Sequence, residues 1–224
     1  VIDISARYPG SFVPFCDIDP RMVRNAADAD LGYLMDYYRE RGCPGVGEVC
    51  ANLAFDDPLV QNLFRHAQRC GMLLTFHVAT RRGGTYGLID ELHLPRLERM
   101  AQAFPGLKLL CHSQAFWSEI SADVTDQTRG GYPKAPVAAE GRAVQLLREC
   151  PNLYGDLSAG SGYNAISRDP EFGYRFLTEF QDRLCFGTDV CAPSNRQDVL
   201  VWLAGFLRQA LAGGKIAQAG FDKV

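Results

Sequence analysis

The feature that most constrains the fold is a regular alternation of short apolar runs with longer amphipathic stretches. Strands that alternate with helices pair in parallel through right-handed crossovers, and continuous apolarity indicates a sheet covered by helices. The six apolar runs have strand length and are bounded by turn residues, at 12–18, 46–53, 73–79, 107–113, 153–159 and 184–190. Stretches of helical period separate these runs, and a last one covers residues 196–214.

An open doubly wound sheet and a closed (β/α)₈ barrel both fit this alternation. No GxGxxG opens a helix after the first run, which removes the main signature of a dinucleotide-binding sheet. In a barrel, the carboxyl ends of the strands meet on one face, where active sites form. Polar or ionisable side chains recur at those ends, namely Asp17, Asp19, Glu48, Asn52, His77, His112, Asp156, Ser158 and Asp189.

We therefore predict an α/β fold of the (β/α)₈ TIM-barrel type, forming a single domain over residues 1–224. Six runs are two fewer than the barrel needs, and the chain starts at Val1 without a methionine. We expect an incomplete barrel whose first strands precede Val1. Two segments without clear periodicity remain: residues 116–139, expected to be functional or mobile, and the Gly-rich residues 155–165, expected to form a flexible wall of the barrel mouth.

Composition argues against several kinds of partner. The chain has 224 residues and a formal net charge of −3, with no basic cluster, so nucleic acid is a poor partner. No apolar stretch approaches the roughly 20 residues that span a bilayer, and no leader-like segment opens the chain. We predict a cytoplasmic protein. Cys16, Cys50, Cys111 and Cys185 lie in or beside apolar runs, so we expect reduced, buried thiols.

Three strand-end residues indicate a metal site. His77 and His112 each end an apolar run, where a neutral imidazole can bind a metal or carry a proton. Asp189 ends another run, and a carboxylate held away from bulk water needs a cation, hydrogen-bond donors or a catalytic role. Zn²⁺ suits these ligands, and Mn²⁺ or Fe²⁺ suit them as well. The alternative is that these side chains are hydrogen-bonded groups of the core. His66 and His93 are expected to be structural, with His66 solvated.

The succession of His in "LLTFHVA", His in "LKLLCHSQAFWSEI" and Asp in "LCFGTDV" resembles the amidohydrolase superfamily, in its amidohydrolase-related branch. That branch holds hydrolases and metal-dependent decarboxylases of the aminocarboxymuconate-semialdehyde type. The resemblance covers nearly the whole chain, from about Phe12, as barrel strands three to eight. It implies that His77 is a metal ligand and that Asp189 binds metal or takes a proton from the attacking water. It also implies that His112 is a second-metal ligand or a substrate-facing acid or base.

The sequence departs from that pattern in two places. The His-x-His of the first strand is absent, which supports the expectation that the chain is a fragment. Where binuclear members often keep a carboxylated lysine, this sequence offers Glu48, either as a carboxylate ligand or as a buried glutamate paired with an arginine. The number of metal ions is therefore open.

Substrate contacts are predicted around this site at Arg81, Trp117, Tyr163 and Asn164. Arg81 could bind a substrate carboxylate through its planar guanidinium, or it could be a solvated loop charge.

The predicted activity is that of a metal-dependent hydrolase. A divalent ion, with Asp189 as general base, would activate water to cleave a C–N or C–O acyl bond of a small molecule. A decarboxylase of small unsaturated or aromatic acids would use the same ligands. A non-catalytic barrel that binds a small molecule is the third reading. The apolar segment 199–207 could form a homodimer contact, although its apolarity on all sides favours burial.

Overall fold

The computed structural model describes residues 1–194 and 196–224, of which residues 196–200 are described in their backbone only. Two units, Val1–Leu110 and Cys111–Val224, each make most of their contacts internally. The single domain over residues 1–224 stays a prediction. The helices are α1 (Ile2–Arg7), α2 (Gly32–Arg39), α3 (Pro58–Arg69), α4 (Pro95–Ala103), α5 (Gln114–Trp117), α6 (Arg142–Glu149), α7 (Ala159–Ser167), α8 (Pro170–Phe180), α9 (Arg196–Ala212) and α10 (Gln218–Lys223). The strands are β1 (Gly45–Val49), β2 (Ala51–Ala54), β3 (Leu73–Ala79), β4 (Gly87–Ile89), β5 (Leu109–His112), β6 (Leu153–Asp156) and β7 (Leu184–Cys185).

Each amphipathic stretch of the sequence contains a helix, as predicted, and the helix ends follow from local chemistry. In α3, the Asp57 side chain accepts a hydrogen bond from the Leu59 N–H, and Pro58 occupies the first turn, where no intrahelical donor is needed. Asp169 caps α8 in the same way: its side chain accepts a hydrogen bond from the Phe172 N–H, and Pro170 occupies the first turn. Gly71, two residues after the end of α3, has a φ of 66°. Glycine adopts this left-handed conformation at the end of a helix without the steric cost of a Cβ.

In the first unit, β3 is the central strand. It pairs in parallel with β1 through its first residues and with β4 through its last two, and β4 pairs in parallel with β2. The β3 side chains Leu74, Phe76 and Val78 share one face of the strand and are fully buried, which explains why this run is largely apolar. The predicted strand 46–53 is divided at Cys50, because β1 and β2 pair with different neighbours.

The predicted strand 12–18 is wrong. Only Cys16 forms a bridge there, to Val46, while Phe12 and Val13 are exposed. Strand β4 is absent from the predicted strands, since three residues are too few to show a period.

In the second unit, β6 and β7 pair in parallel, and both are shorter than predicted. Strand β6 ends at Asp156 because α7 begins at Ala159, so the Gly-rich segment 155–165 is mostly helical rather than a flexible wall. A glycine of α8 lets the two helices pack closely, since a Cβ on Gly173 would lie 2.1 Å from the Ile166 carbonyl oxygen in α7.

The segment 116–139 makes buried contacts within itself, and its functional or mobile character stays a prediction. It opens in α5 and a 3₁₀ turn over Ser118–Ile120. Glu119 and Arg129, which are 0% and 1% exposed, form an ion pair of 2.9 Å. The Ala122 N–H, near the start of the segment, donates to the Ala139 carbonyl at its end.

The prediction of buried thiols is confirmed for Cys16 and Cys111 and is wrong for Cys50 and Cys185, which are exposed. Strand β2 begins directly after Cys50, and β7 ends at Cys185, so both lie at strand ends rather than inside a sheet.

Over residues 201–212, whose side chains the structure describes, α9 buries Leu203, Leu207 and Ala210 and exposes Val201 and Trp202. Burial on all sides is therefore wrong for this helix. The side chains at 199 and 200 lie outside the described residues, and a homodimer contact here stays a prediction. Among the residues that the structure describes, no helix has both the length and the apolarity to cross a membrane.

Candidate active site

In the first unit, the pairing of β1 with β3 brings Glu48 and His77 together. Val46 lies opposite Leu74 and Val49 lies opposite Phe76, so Glu48 comes near the carboxyl half of β3. A Glu48 carboxylate oxygen and a His77 ring nitrogen lie within 4.8 Å of each other. His77 is buried and Glu48 is half-buried. An imidazole nitrogen and a carboxylate oxygen so close together form half of a site that Zn²⁺, Mn²⁺ or Fe²⁺ accepts.

The His77 ring is also packed by an aromatic neighbour. The Tyr86 ring centroid lies 4.3 Å from that of His77, with the two planes inclined by 48°. Tyr86 precedes β4, the parallel neighbour of β3, and the loop before it is held by Asn52, whose side chain accepts from the Gly83 N–H and donates to the Thr85 carbonyl. His77 is thus restrained from the side of the 80–86 loop as well as by its own strand.

In the second unit, His112 is held by a carboxylate. Its Nδ1 lies 3.0 Å from Asp156 Oδ2 and 3.3 Å from Ser158 Oγ. The Ser158 hydroxyl donates to Asp156 Oδ2 at 2.8 Å, and the Ser158 N–H donates to Asp156 Oδ1 at 2.9 Å. Both contacts to His112 use the same ring nitrogen, so this is not a serine-histidine-aspartate triad, in which histidine bridges the other two residues.

The Asp156 carboxylate stays ionised despite its burial. Burial raises the pKa of Asp156, but hydrogen bonds from His112 and Ser158 outweigh it and hold the pKa below the usual range for aspartate. An ionised Asp156 favours the His112 tautomer with its proton on Nδ1, which leaves Nε2 with a lone pair. Such a carboxylate-histidine pair is how many metal-binding histidines are oriented.

Asp156 and Ser158 are among the predicted polar strand-end residues, without a predicted role. The signal that could have found them is their position: a carboxylate that ends the strand neighbouring a strand-end histidine is placed to orient it. The same strand end binds Trp117, which is 1% exposed and whose Nε1 donates to the Asp156 carbonyl oxygen at 2.8 Å. Trp117 therefore packs in the core here, and its predicted contact with substrate stays a prediction.

Asp189 does not sit at the end of a buried strand. Strand β7 ends at Cys185, and Asp189 is exposed, with a φ of 56°. The expectation that its carboxylate is held away from bulk water is wrong, because the apolar residues around it lie on irregular backbone. Its role toward metal or water stays a prediction.

The other predicted substrate contacts lie on loops and helix surfaces. Arg81 is exposed in the loop after β3. The Tyr163 ring stacks on Trp202, with centroids 5.6 Å apart. The Asn164 side chain donates to the Pro133 carbonyl at 3.1 Å, so it holds the 116–139 segment against α7. Their roles toward a substrate remain predictions.

The remaining two histidines lie outside these groups. His66 is half-buried in α3, with its Nδ1 3.9 Å from an Asp30 carboxylate oxygen, so the expectation of a solvated ring is wrong. Burial and the nearby Arg69 lower the pKa of His66. His93 is exposed and precedes α4.

Comparison with known proteins gives the class of fold. Neither a protein-family model nor a curated protein matches this sequence. Among solved structures, 5-carboxyvanillate decarboxylase from Sphingomonas paucimobilis matches with a TM-score of 0.57 and 16% identity, over 100% of this chain and 67% of that one. A zinc-bound amidohydrolase from Burkholderia multivorans matches with a TM-score of 0.57 and 14% identity, over 100% of this chain and 73% of that one.

A third solved structure carries another metal. Dihydroxybenzoic acid decarboxylase from Polaromonas, with bound manganese and the inhibitor 2-nitroresorcinol, matches with a TM-score of 0.51 and 16% identity, over 100% of this chain and 69% of that one. Identities this low show the fold alone. The predicted fold class is confirmed: the chain has a parallel sheet with helices that corresponds to part of a TIM barrel, in the form shared by amidohydrolases and related decarboxylases.

Proposed function

We propose that this chain carries most of the catalytic barrel of a divalent-metal-dependent hydrolase that cleaves a C–N or C–O acyl bond of a small molecule. The observation that carries the proposal is the placement of Glu48 beside His77 on paired parallel strands. That placement occurs in a fold whose solved examples include zinc-bound and manganese-bound structures.

The ligands in this proposal are Glu48, His77 and His112, with Asp189 as a further ligand or as the general base. A bound divalent ion would supply a Lewis acid for a substrate carbonyl or carboxylate. Asp156 holds the Nδ1 proton of His112, which frees Nε2 to bind or to carry a proton. Asp189 would take a proton from the attacking water, and its exposure gives water access to it.

A decarboxylase is the second candidate, and the His112–Asp156 pair favours it. An imidazole hydrogen-bonded to an ionised carboxylate can hold a proton and deliver it to carbon. In this reaction the bond from that carbon to the carboxylate breaks, CO₂ leaves, and His112 supplies the proton that replaces it. The substrates would be small aromatic or unsaturated acids, for which the exposed Arg81 offers a guanidinium. A cytoplasmic location, a homodimer and a non-catalytic binding role stay predictions of the sequence.

Two assays on the full-length protein, loaded with zinc or manganese, separate these candidates. Hydrolysis of esters, lactones or amides that is lost in Asp189→Asn supports the hydrolase. Release of CO₂ from aromatic or unsaturated acids, lost in His112→Ala and retained in Asp189→Asn, supports the decarboxylase. A purified protein with no stoichiometric metal and neither activity would contradict both and leave the binding role.

Asp156→Asn tests the positioning of His112. We expect metal affinity and turnover to fall by about 10- to 100-fold, as for other carboxylates that orient a metal-binding histidine. The pH dependence of stability should also change. Because the pKa of Asp156 is lower in the folded state, its contribution to stability is present above the unfolded pKa and is lost as the pH falls. Asp156→Asn should flatten that loss in chemical denaturation between neutral and acidic pH. Unchanged metal affinity would show that Asp156 is only a packing residue.

A further inference from the structure

A cavity of about 410 Å³ lies within the second unit, under the 116–139 segment. Its volume is within the range of pockets that bind small molecules. None of His112, Asp156 and Ser158 lines it, so it is separate from the His112 group. Its lining includes Ser118, Asp123, Val124, Tyr132, Lys134 and Arg168.

The most telling feature of the cavity is the Arg168 guanidinium. Arg168 follows α7, and its Nε and Nη2 atoms are buried without a hydrogen-bond partner among the residues that the structure describes. Burial lowers the pKa of Arg168, while Asp123 and Asp169 act on it in the opposite direction. A buried donor that lacks an acceptor costs free energy, so an acceptor supplied from outside the chain would bind with a corresponding gain.

The two nearby carboxylates are already engaged elsewhere. Asp123 accepts a hydrogen bond from Ser121 Oγ at 2.6 Å. Asp169 accepts from the N–H groups of Phe172 and Val137, both at 3.2 Å, because it caps α8 and holds the end of the 116–139 segment. Neither accepts a hydrogen bond from Nε or Nη2 of Arg168. The planar pair of donors that remains matches the two oxygens of a carboxylate.

The cavity wall is preformed. Ser118 Oγ donates to the Arg129 carbonyl at 2.7 Å, and Gln114 Nε2 donates to Tyr132 Oη at 2.9 Å. Together with the hydrogen bond from Asn164 to Pro133, these contacts fix the segment before any ligand arrives. Binding therefore costs little ordering of the chain.

The lining also defines the rest of the ligand. Val124, Tyr132, Pro133 and Ala135 offer apolar surface, and Lys134 adds a second cation. Among the lining residues that the structure describes, Asp123 is the single acid. We propose that this cavity binds a small organic carboxylate, whose charged group accepts from Arg168 and whose apolar body lies against Val124 and Tyr132.

Benzoate is the probe, followed by thermal shift and calorimetry on the full-length protein. We expect benzoate to raise the melting temperature and to bind in the millimolar range or tighter, and the neutral isostere benzamide to have no effect. Arg168→Met should weaken benzoate by about 10- to 100-fold, the range for a hydrogen bond to a charged group. Without ligand, Arg168→Met should melt at the same temperature as the wild type or higher, because it removes buried donors that lack partners.

The matched control is Arg175→Met, the same substitution at an exposed arginine of α8, which should bind benzoate like the wild type. Arg168→Lys keeps the charge without the planar donors and should bind with intermediate affinity. His77→Ala should leave benzoate binding unchanged. Three results would overturn the proposal: no benzoate binding by the wild type, equal binding by Arg168→Met, or binding lost in His77→Ala, which would place benzoate at the proposed metal site.

Discussion

His77→Ala is expected to lower turnover by more than about 100-fold and to remove the bound metal. Changing a residue that only orients a metal ligand already costs about 10- to 100-fold, and removing the ligand itself should cost more. His77 is buried, and Glu48 and the Tyr86 ring lie beside it. We therefore expect no exposed side chain to take its place as a metal ligand in the variant. Metal content by atomic absorption and kcat/KM on whichever substrate the protein turns over are the measurements.

The control for this variant is His93→Asn. His93 is exposed and has a φ of 72°, a conformation that asparagine tolerates better than alanine. We expect His93→Asn to keep the wild-type metal content and rate. If His77→Ala keeps its metal and activity while folding normally, the proposed ligand set is wrong.

Glu119→Ala is expected to cost about 3–5 kcal/mol of unfolding free energy, the largest stability effect that we predict. Glu119 and Arg129 are both almost fully buried, and removing one partner leaves the other charge uncompensated inside the protein. For a chain of this length the melting temperature should fall by about 6–20 °C. Urea denaturation followed by circular dichroism measures the free energy directly.

Glu179→Ala is the matched surface control. Glu179 pairs with Arg148, but both side chains are more than 40% exposed, so we expect a loss below about 1 kcal/mol. Equal losses for Glu119→Ala and Glu179→Ala would show that burial of the Glu119–Arg129 pair is not what stabilises the 116–139 segment.

Local chemistry explains why the helices were predictable. The helix α3 follows from Asp57, Pro58 and its apolar period, and α8 follows from Asp169 and Pro170 in the same way, since caps and first-turn prolines act within a few residues. The central strand β3 was equally clear, because all of its residues except Thr75 and His77 are apolar.

The errors concern residues whose state depends on distant neighbours. Phe12 and Val13 belong to an apolar run but pair with no strand in the described structure, and the run at 184–190 pairs over two residues only. A run of apolar residues does not by itself distinguish a paired strand from an unpaired segment, because the hydrogen-bond partners of a strand lie elsewhere in the chain.

By itself, the sequence determined the alternation of strands and helices, the barrel class, and the strand-end positions of Glu48, His77 and His112. Only the tertiary structure decided which partners those side chains have. The pairing of β1 with β3 set Glu48 beside His77, and the end of β6 gave His112 its Asp156. The reason is physical: period and capping are local properties of the chain, whereas hydrogen-bond partners, burial and an unfilled guanidinium such as Arg168 arise only when segments far apart in sequence pack together.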